Sequence, residues 1–272
     1  PVVDLGRKPQ WPRYYETFGE DPYLAGQMGV AAVEGLQGDD VSKGTRVAGT
    51  LKHYIGYSGP TSGLDRTTAQ IPERLLRSHY LPPFRAAVEA EAKTIMVNSG
   101  DVNGIPVHAS EYLLTDVLRG ELGFDGVVVT DWRDVLKLQD VHLTAETTKE
   151  AAHQALDAGI DMCMVPFDYS FYDDVLALVE EGEVSEARID ESVRRILRLK
   201  AEVGLLNSAD LPEETGPVNT QDDQQTNLEA ARKSLTLLKN EDELLPFADD
   251  AEVLVTGPAA TSVPALTGGW TY

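Results

Sequence analysis

The run Gly126-Val127-Val128-Val129-Thr130-Asp131-Trp132 constrains this chain more than any other stretch. Three consecutive valines are not an amphipathic pattern. They are the pattern of a strand buried on both faces, as in a parallel sheet covered by helices. The run stops on a carboxylate followed by an indole. In α/β architectures the groups that do chemistry sit at the C-terminal ends of the strands. Asp131 is therefore a candidate reactive carboxylate, with Trp132 in the wall beside it. From position alone a second reading stands level with it: Asp131 caps the next helix and Trp132 is core.

Other stretches repeat the pattern. Arg46–Tyr54 is a short apolar strand closing on Lys52 and His53, and Lys93–Asn98 closes on Asn98 and Ser99. Ile160–Pro166 reads as a further strand. Helical spacing predicts helices over about 22–36, 73–92, from Ser110 onward, near 146–158, and after Ser185 with Ile189, Val193, Ile196 and Leu197 inward. Pro82 and Pro83 should kink or interrupt the second of these. Strand centres near 49, 95, 128 and 162 are spaced as βα units are. Such units fit part of a (β/α)8 barrel or a doubly wound sheet. No G-x-G-x-x-G follows a strand, which weakens the dinucleotide-binding version.

The character changes at 205–226, a polar stretch marked by Pro and Gly that reads as a linker. A helix is predicted over about 226–239, and Glu252–Pro258 reads as the first strand of a second α/β domain.

Composition removes several functions. There are 45 acidic and 23 basic residues in 272, a formal charge of −22. Nucleic acid and anionic membrane surfaces are disfavoured as partners. No apolar run approaches the roughly 20 residues of a membrane helix. A lone Cys163 permits no internal disulfide. Five scattered histidines without H-E-x-x-H offer no metal site, and no cofactor is expected. There is neither a G-x-S-x-G elbow nor a P-loop. The opening Pro1-Val2-Val3-Asp4-Leu5 looks like the interior of a folded protein, so the natural N-terminus is expected to lie elsewhere.

What remains is a set of strand ends: Lys52 and His53, Asn98 and Ser99, Asp131 and Trp132. On one barrel they converge on a single mouth. A carboxylate, a cation, an imidazole and aromatic faces together suit a sugar. Asp131 could attack an anomeric carbon, with a second carboxyl acid about 5 Å away, and Lys52 nearby would keep it ionised. Blander roles stand beside these: Lys52 as an ion-pair partner, His53 as a core histidine, Trp270 as plain core. A non-catalytic carbohydrate-binding protein, or an aldolase using Lys52 as a Schiff base, are the other functions these residues permit.

Several motifs run in order along nearly the whole chain: Trp11-Pro12-Arg13-Tyr14-Tyr15-Glu16, Phe18-Gly19-Glu20-Asp21-Pro22, Lys52-His53-Tyr54, Gly123 to Trp132, Ala158 to Met162, Arg188 to Leu197, Ala230 to Asn240, and Gly268-Gly269-Trp270-Thr271. On these the chain resembles the family-3 glycoside hydrolases, which include retaining β-glucosidases, β-xylosidases and glucan exohydrolases. The resemblance implies an α/β fold: the later part of a (β/α)8 barrel over 1–204, a linker over 205–226, and the start of an α/β sandwich over 227–272. It implies Asp131 as catalytic nucleophile, Arg13, Lys52 and His53 as binders of sugar hydroxyls, and Trp132 and Trp270 flanking the sugar. The substrate expected is a terminal β-glucoside or oligosaccharide, with β-xyloside as the alternative. Ile55-Gly56-Tyr57-Ser58 departs from the Pro-Gly-His sequence of the N-acetylglucosaminidase branch.

Two departures stand out. Many members carry a tyrosine where Ser99 stands, so a contact that supports the nucleophile is in question. Members also carry an early barrel segment with a sugar-binding aspartate and a second domain with the acid/base glutamate, both expected to lie outside these residues. The 272 residues alone are expected to be inactive. The acidic excess also fits a protein that works in high salt. Stability to urea is expected to rise from low to molar NaCl; a flat or falling salt series would contradict that expectation.

Overall fold

The computed structural model describes residues 1–206, 217 and 219–267. The chain divides into two compact units, Pro1–Glu214 and Thr215–Tyr272.

The first unit is an α/β structure. After a 3-10 turn at Tyr14–Glu16, α1 spans Pro22–Gln37. Asp21 caps it, its carboxylate accepting the Tyr23 N–H at 2.7 Å, and Pro22 takes the first turn, where a missing N–H costs nothing. The strand β1 (Thr50–Tyr54) follows. Next come α2 (Glu73–Leu75), a π turn over Leu76–Tyr80, and α3 (Leu81–Glu89). The two prolines therefore do not end the helical path. Wider winding precedes them, and they fall in the first turn of α3.

The strand β2 (Thr94–Val97) leads to a small hairpin of β3 (Asp101–Val102) and β4 (Ile105–Pro106). A helix wound as π over Tyr112–Glu121 buries Leu113, Leu114, Val117 and Leu118. Ser110 accepts its Leu113 N–H at 3.3 Å. The opening valines form β5 (Val127–Val129), buried at every position. Then come α4 (Asp134–Asp140) and α5 (Thr148–Ala158), closed by Gly159 at φ +114°. The unit continues with α6 (Ser170–Glu180) and α7 (Glu186–Glu202).

The sheet runs β1-β2-β5, all parallel, with Thr94 opposite Thr50 and Val127. Two further lanes flank it as single parallel bridges, Val2 to Lys52 and Val129 to Met162. Five lanes thus lie side by side in chain order. The stretch 160–166 contributes one bridge, not the strand expected of it. Glycine lets the backbones approach: a Cβ on Gly126 would stand 2.3 Å from the Lys93 carbonyl, and one on Gly29 of α1 would stand 2.7 Å from Val3 Cγ1.

Backbone bonds join this lane to β5 (Met162 N–H to the Val128 carbonyl at 3.1 Å, Thr130 N–H to the Met162 carbonyl at 3.0 Å), and at its start a buried carboxylate takes the place of a backbone acceptor. The Asp161 side chain accepts Val128 N–H at 2.9 Å, Arg119 at 2.6 Å, Arg195 at 3.0 Å and Ser192 at 2.8 Å. This corrects the expected face of α7. Val193 and Leu197 point outward at 43% and 46% exposure, because the helix docks through Arg188, Ser192 and Arg195. Ile189 and Ile196 are half-buried.

In the second unit α8 spans Gln221–Ser234, earlier than expected, started by a Thr220/Asp223 capping box. A short α9 covers Val263–Leu266. The strand expected at 252–258 does not form: Val253, Leu254 and Val255 are 57%, 87% and 71% exposed. A strand needs a neighbour to satisfy its backbone, and the described residues of this unit supply none. Among all described residues no helix is long and apolar enough to cross a membrane.

Replacing Asp161 by Asn should leave buried arginines without their counter-charge and cost roughly 3–5 kcal/mol in urea unfolding. A change under about 1 kcal/mol would show that the carboxylate is not what joins α7 to β5.

Candidate active site

Parallel strands bring all their C-terminal ends to one side. Asp4 follows the first lane, His53 lies in β1, Ser99 follows β2 and Asp131 follows β5. Each of the four is buried, Asp131 at 9% exposure.

Both oxygens of Asp131 are held. Oδ1 accepts the Trp132 N–H at 2.5 Å and Oδ2 accepts the Ser99 hydroxyl at 3.1 Å. Oδ2 also lies 3.7 Å from His53 Nε2 and 3.8 Å from Arg66 Nη2. Burial alone would raise the pKa of this carboxyl. The Trp132 N–H, the fields of His53 and Arg66, and the Ser99 hydroxyl outweigh it and hold Asp131 below the ordinary 3.8. Asp131 is therefore a carboxylate at neutral pH. Its side chain accepts no N–H of α4, and the N-cap residue Arg133 makes no side-chain capping bond either.

His53 is oriented from behind. Asp4 Oδ2 stands 2.8 Å from Nδ1 and also accepts the His53 backbone N–H at 3.0 Å. This leaves Nε2 facing Asp131. The Tyr57 ring packs edge-on against His53 at 4.6 Å and against Trp11 at 5.3 Å. The Arg13 guanidinium lies 5.5 Å from the same ring, doubly bonded to Glu16 at 2.6 and 2.9 Å. The Trp11 indole donates to Asp65 at 2.9 Å, next to Arg66.

Lys52 is half-buried, and its side chain makes no hydrogen bond or ion pair among the described residues. The cation beside Asp131 is Arg66 rather than the Lys52 that the sequence suggested. Trp132 is 45% exposed, with Phe167 edge-on at 6.0 Å. Trp270 lies outside the described residues.

Sequence reasoning passed over Asp4 and Arg66. Asp4 had a signal: Val2-Val3-Asp4 repeats the valines-then-carboxylate pattern of 127–131. Arg66 had none, since it sits in an irregular loop with φ +58°. Ser99 was legible as a strand-end residue and as a departure from the family pattern, and it supplies a contact to the carboxylate.

Residues 1–199 match the family model described as Glycosyl hydrolase family 3 N terminal domain. The chain belongs to this family. A lysosomal beta glucosidase of Dictyostelium discoideum is 50% identical over 284 residues, covering 99% of this chain and 34% of that protein. A beta-xylosidase of Formosa agariphila is 38% identical over 260 residues, covering 91% of this chain and 36% of that protein. The crystal structure of a beta-glucosidase from Listeria innocua in complex with glucose superposes with a TM-score of 0.91 at 38% identity. That match covers 100% of this chain and 38% of the Listeria chain. This family-3 chain thus spans just over a third of the length of such relatives.

Behind the nucleophile candidate lies a second buried pair, His108 and Asp134, both 1% exposed, with His108 Nε2 3.6 Å from Asp134 Oδ2. Burial pushes the His108 pKa down to about 4, against opposing pulls from Asp134 and Asp131. The unfolded chain then takes up a proton below about 6.5 that the folded chain refuses until about 4. Stability from this group is complete above that window and falls as pH drops through it. Tm should decline from pH 7 to pH 5, and His108→Gln should flatten that slope; an unchanged slope would contradict the assignment.

Proposed function

We propose that this chain carries the nucleophile side of the active site of a retaining β-glucosidase. The observation that carries the reading is Asp131: an ionised carboxylate, held through both oxygens, just past the C-terminal end of the fully buried strand β5. Arg13, Lys52 and His53 bind sugar hydroxyls, and Trp132 lies against the sugar's apolar face. A carboxylate oxygen of Asp131 attacks the anomeric carbon as the bond to the leaving oxygen breaks. The leaving oxygen takes its proton from a carboxylic acid outside the described residues. Asp4 and Asp134 do not fit that role, being engaged by His53 and by Arg66 with Lys137. Water then cleaves the glycosyl-Asp131 ester, with the same acid acting as base, and β-glucose leaves.

The five lanes in chain order support a (β/α)8 arc over 1–204, since a doubly wound sheet reverses its strand order at a switch point. A linker from 205 that ends before α8, and a sandwich domain that takes in α8, complete the proposed organisation. The substrate class is supported by the relatives' names. The Listeria beta-glucosidase has been crystallised with glucose, and a mutant of it with laminaribiose. Two Formosa relatives are named as a beta-xylosidase and a putative one, which makes β-xylosides the second reading.

In full-length protein, Asp131→Asn should lower kcat on aryl β-glucosides by on the order of 10⁴-fold. A 2-deoxy-2-fluoro-glucoside should leave its sugar on Asp131 in a peptide mass map. Undiminished turnover in the variant, or an adduct on another residue, would overturn the reading. Relative kcat/KM on aryl glucoside and aryl xyloside decides between the two substrates.

A further inference from the structure

Arg66 stands between two carboxylates. Its Nη1 donates to Ser99 Oγ at 2.7 Å and lies 3.4 Å from Asp134 Oδ1, while Nη2 is 3.8 Å from Asp131 Oδ2. Its Nε is 3.7 Å from Asp65. The guanidinium is about a third exposed, so its partners, not packing, set its direction. Asp134 is the buried partner: its side chain is 1% exposed, it is ion-paired to Lys137, and it faces His108. His142 is the further titratable group within its field.

The hydrogen-bond directions follow. Ser99 Oγ accepts from Arg66, so its single proton goes to Asp131 Oδ2, 3.1 Å away. The chain Asp134–Arg66–Ser99–Asp131 thus delivers one hydroxyl proton to the nucleophile and keeps the guanidinium itself beyond bonding distance.

We propose that Asp134 is a positioning residue that holds Arg66 off the nucleophile. The proposal rests on Asp131 being the nucleophile. A guanidinium in forked contact with a carboxylate occupies the lone pairs that attack on carbon requires. At 3.8 Å it contributes its field without occupying them. With the Asp134 charge removed, the nearest carboxylates to Arg66 are Asp65 and Asp131, and the arginine closes on the nucleophile.

The test is the rate at which full-length protein is labelled on Asp131 by a 2-deoxy-2-fluoro-glucoside, measured across pH. Asp134→Asn should slow labelling roughly tenfold or more. It should also move the acid limb of the profile to lower pH, because the closer arginine holds Asp131 ionised further down. Arg66→Met in the D134N background should restore part of the labelling rate. If D134N does not fold, D134N with Lys137→Met removes the anchor without stranding the ammonium, and the same outcomes are expected. A labelling rate and acid limb equal to wild type would overturn the proposal, even with a lowered Tm. So would an acid limb moved upward, which means that Arg66 has left Asp131. Failure of wild-type protein to label Asp131 would instead count against the nucleophile assignment.

Discussion

The side chain of Asp161 is the interaction on which the rest of this molecule depends. It is fully buried, and it gathers Arg119, Arg195, Ser192 and the Val128 N–H around one carboxylate. Arg119 in turn holds the Phe124 and Gly126 carbonyls at the entry to β5, at 2.9 and 2.6 Å. A buried charge of this kind is weak evidence for stability, because desolvation offsets much of the attraction. Its effect is geometric. It fixes the start of β5, sets the rotation of α7, and takes the Val128 N–H where the fifth lane begins. Asp131 lies three residues further along, roughly 10 Å at strand rise. The strand is clamped at one end, which leaves its other end to hold the Asp131 carboxylate in a defined place.

At that other end the electrostatics run the opposite way. Asp161 is surrounded by cations, whereas Asp131 is held by dipoles and by charges kept at a distance: one backbone N–H, one hydroxyl, and His53 and Arg66 beyond 3.5 Å. That arrangement keeps the group ionised despite burial without tying its oxygens into a full salt bridge. Asp4 behind His53 and Asp134 behind Arg66 are engaged by these neighbours, and neither neighbour closes on Asp131.

Much of this was legible in the residues. The valine run announced a strand buried on both faces, and the order of motifs announced the family. Position alone left Asp131 undecided between catalyst and cap; the contacts of Oδ1 and Oδ2 decide against a cap on α4. The misreadings share a cause. Apolar runs at 160–166 and 252–258 look like strands, but a strand is a property of two segments: the first pairs with β5 through one bridge, and the second has no partner among the described residues. Val193 and Leu197 keep helical periodicity while facing outward, because α7 docks through polar side chains that a hydrophobic pattern does not register. Arg66 was invisible because loop geometry, not periodicity, aims it.

The central claim is that Asp131 forms a covalent bond to the sugar, and the stereochemistry of the product reads this directly. Proton NMR of the anomeric signal during early turnover of an aryl β-glucoside by the full-length protein should show β-glucose first, with α-glucose growing in only by mutarotation. First appearance of the α-anomer would mean that water, not Asp131, attacks the sugar, and the covalent role assigned to Asp131 would be wrong.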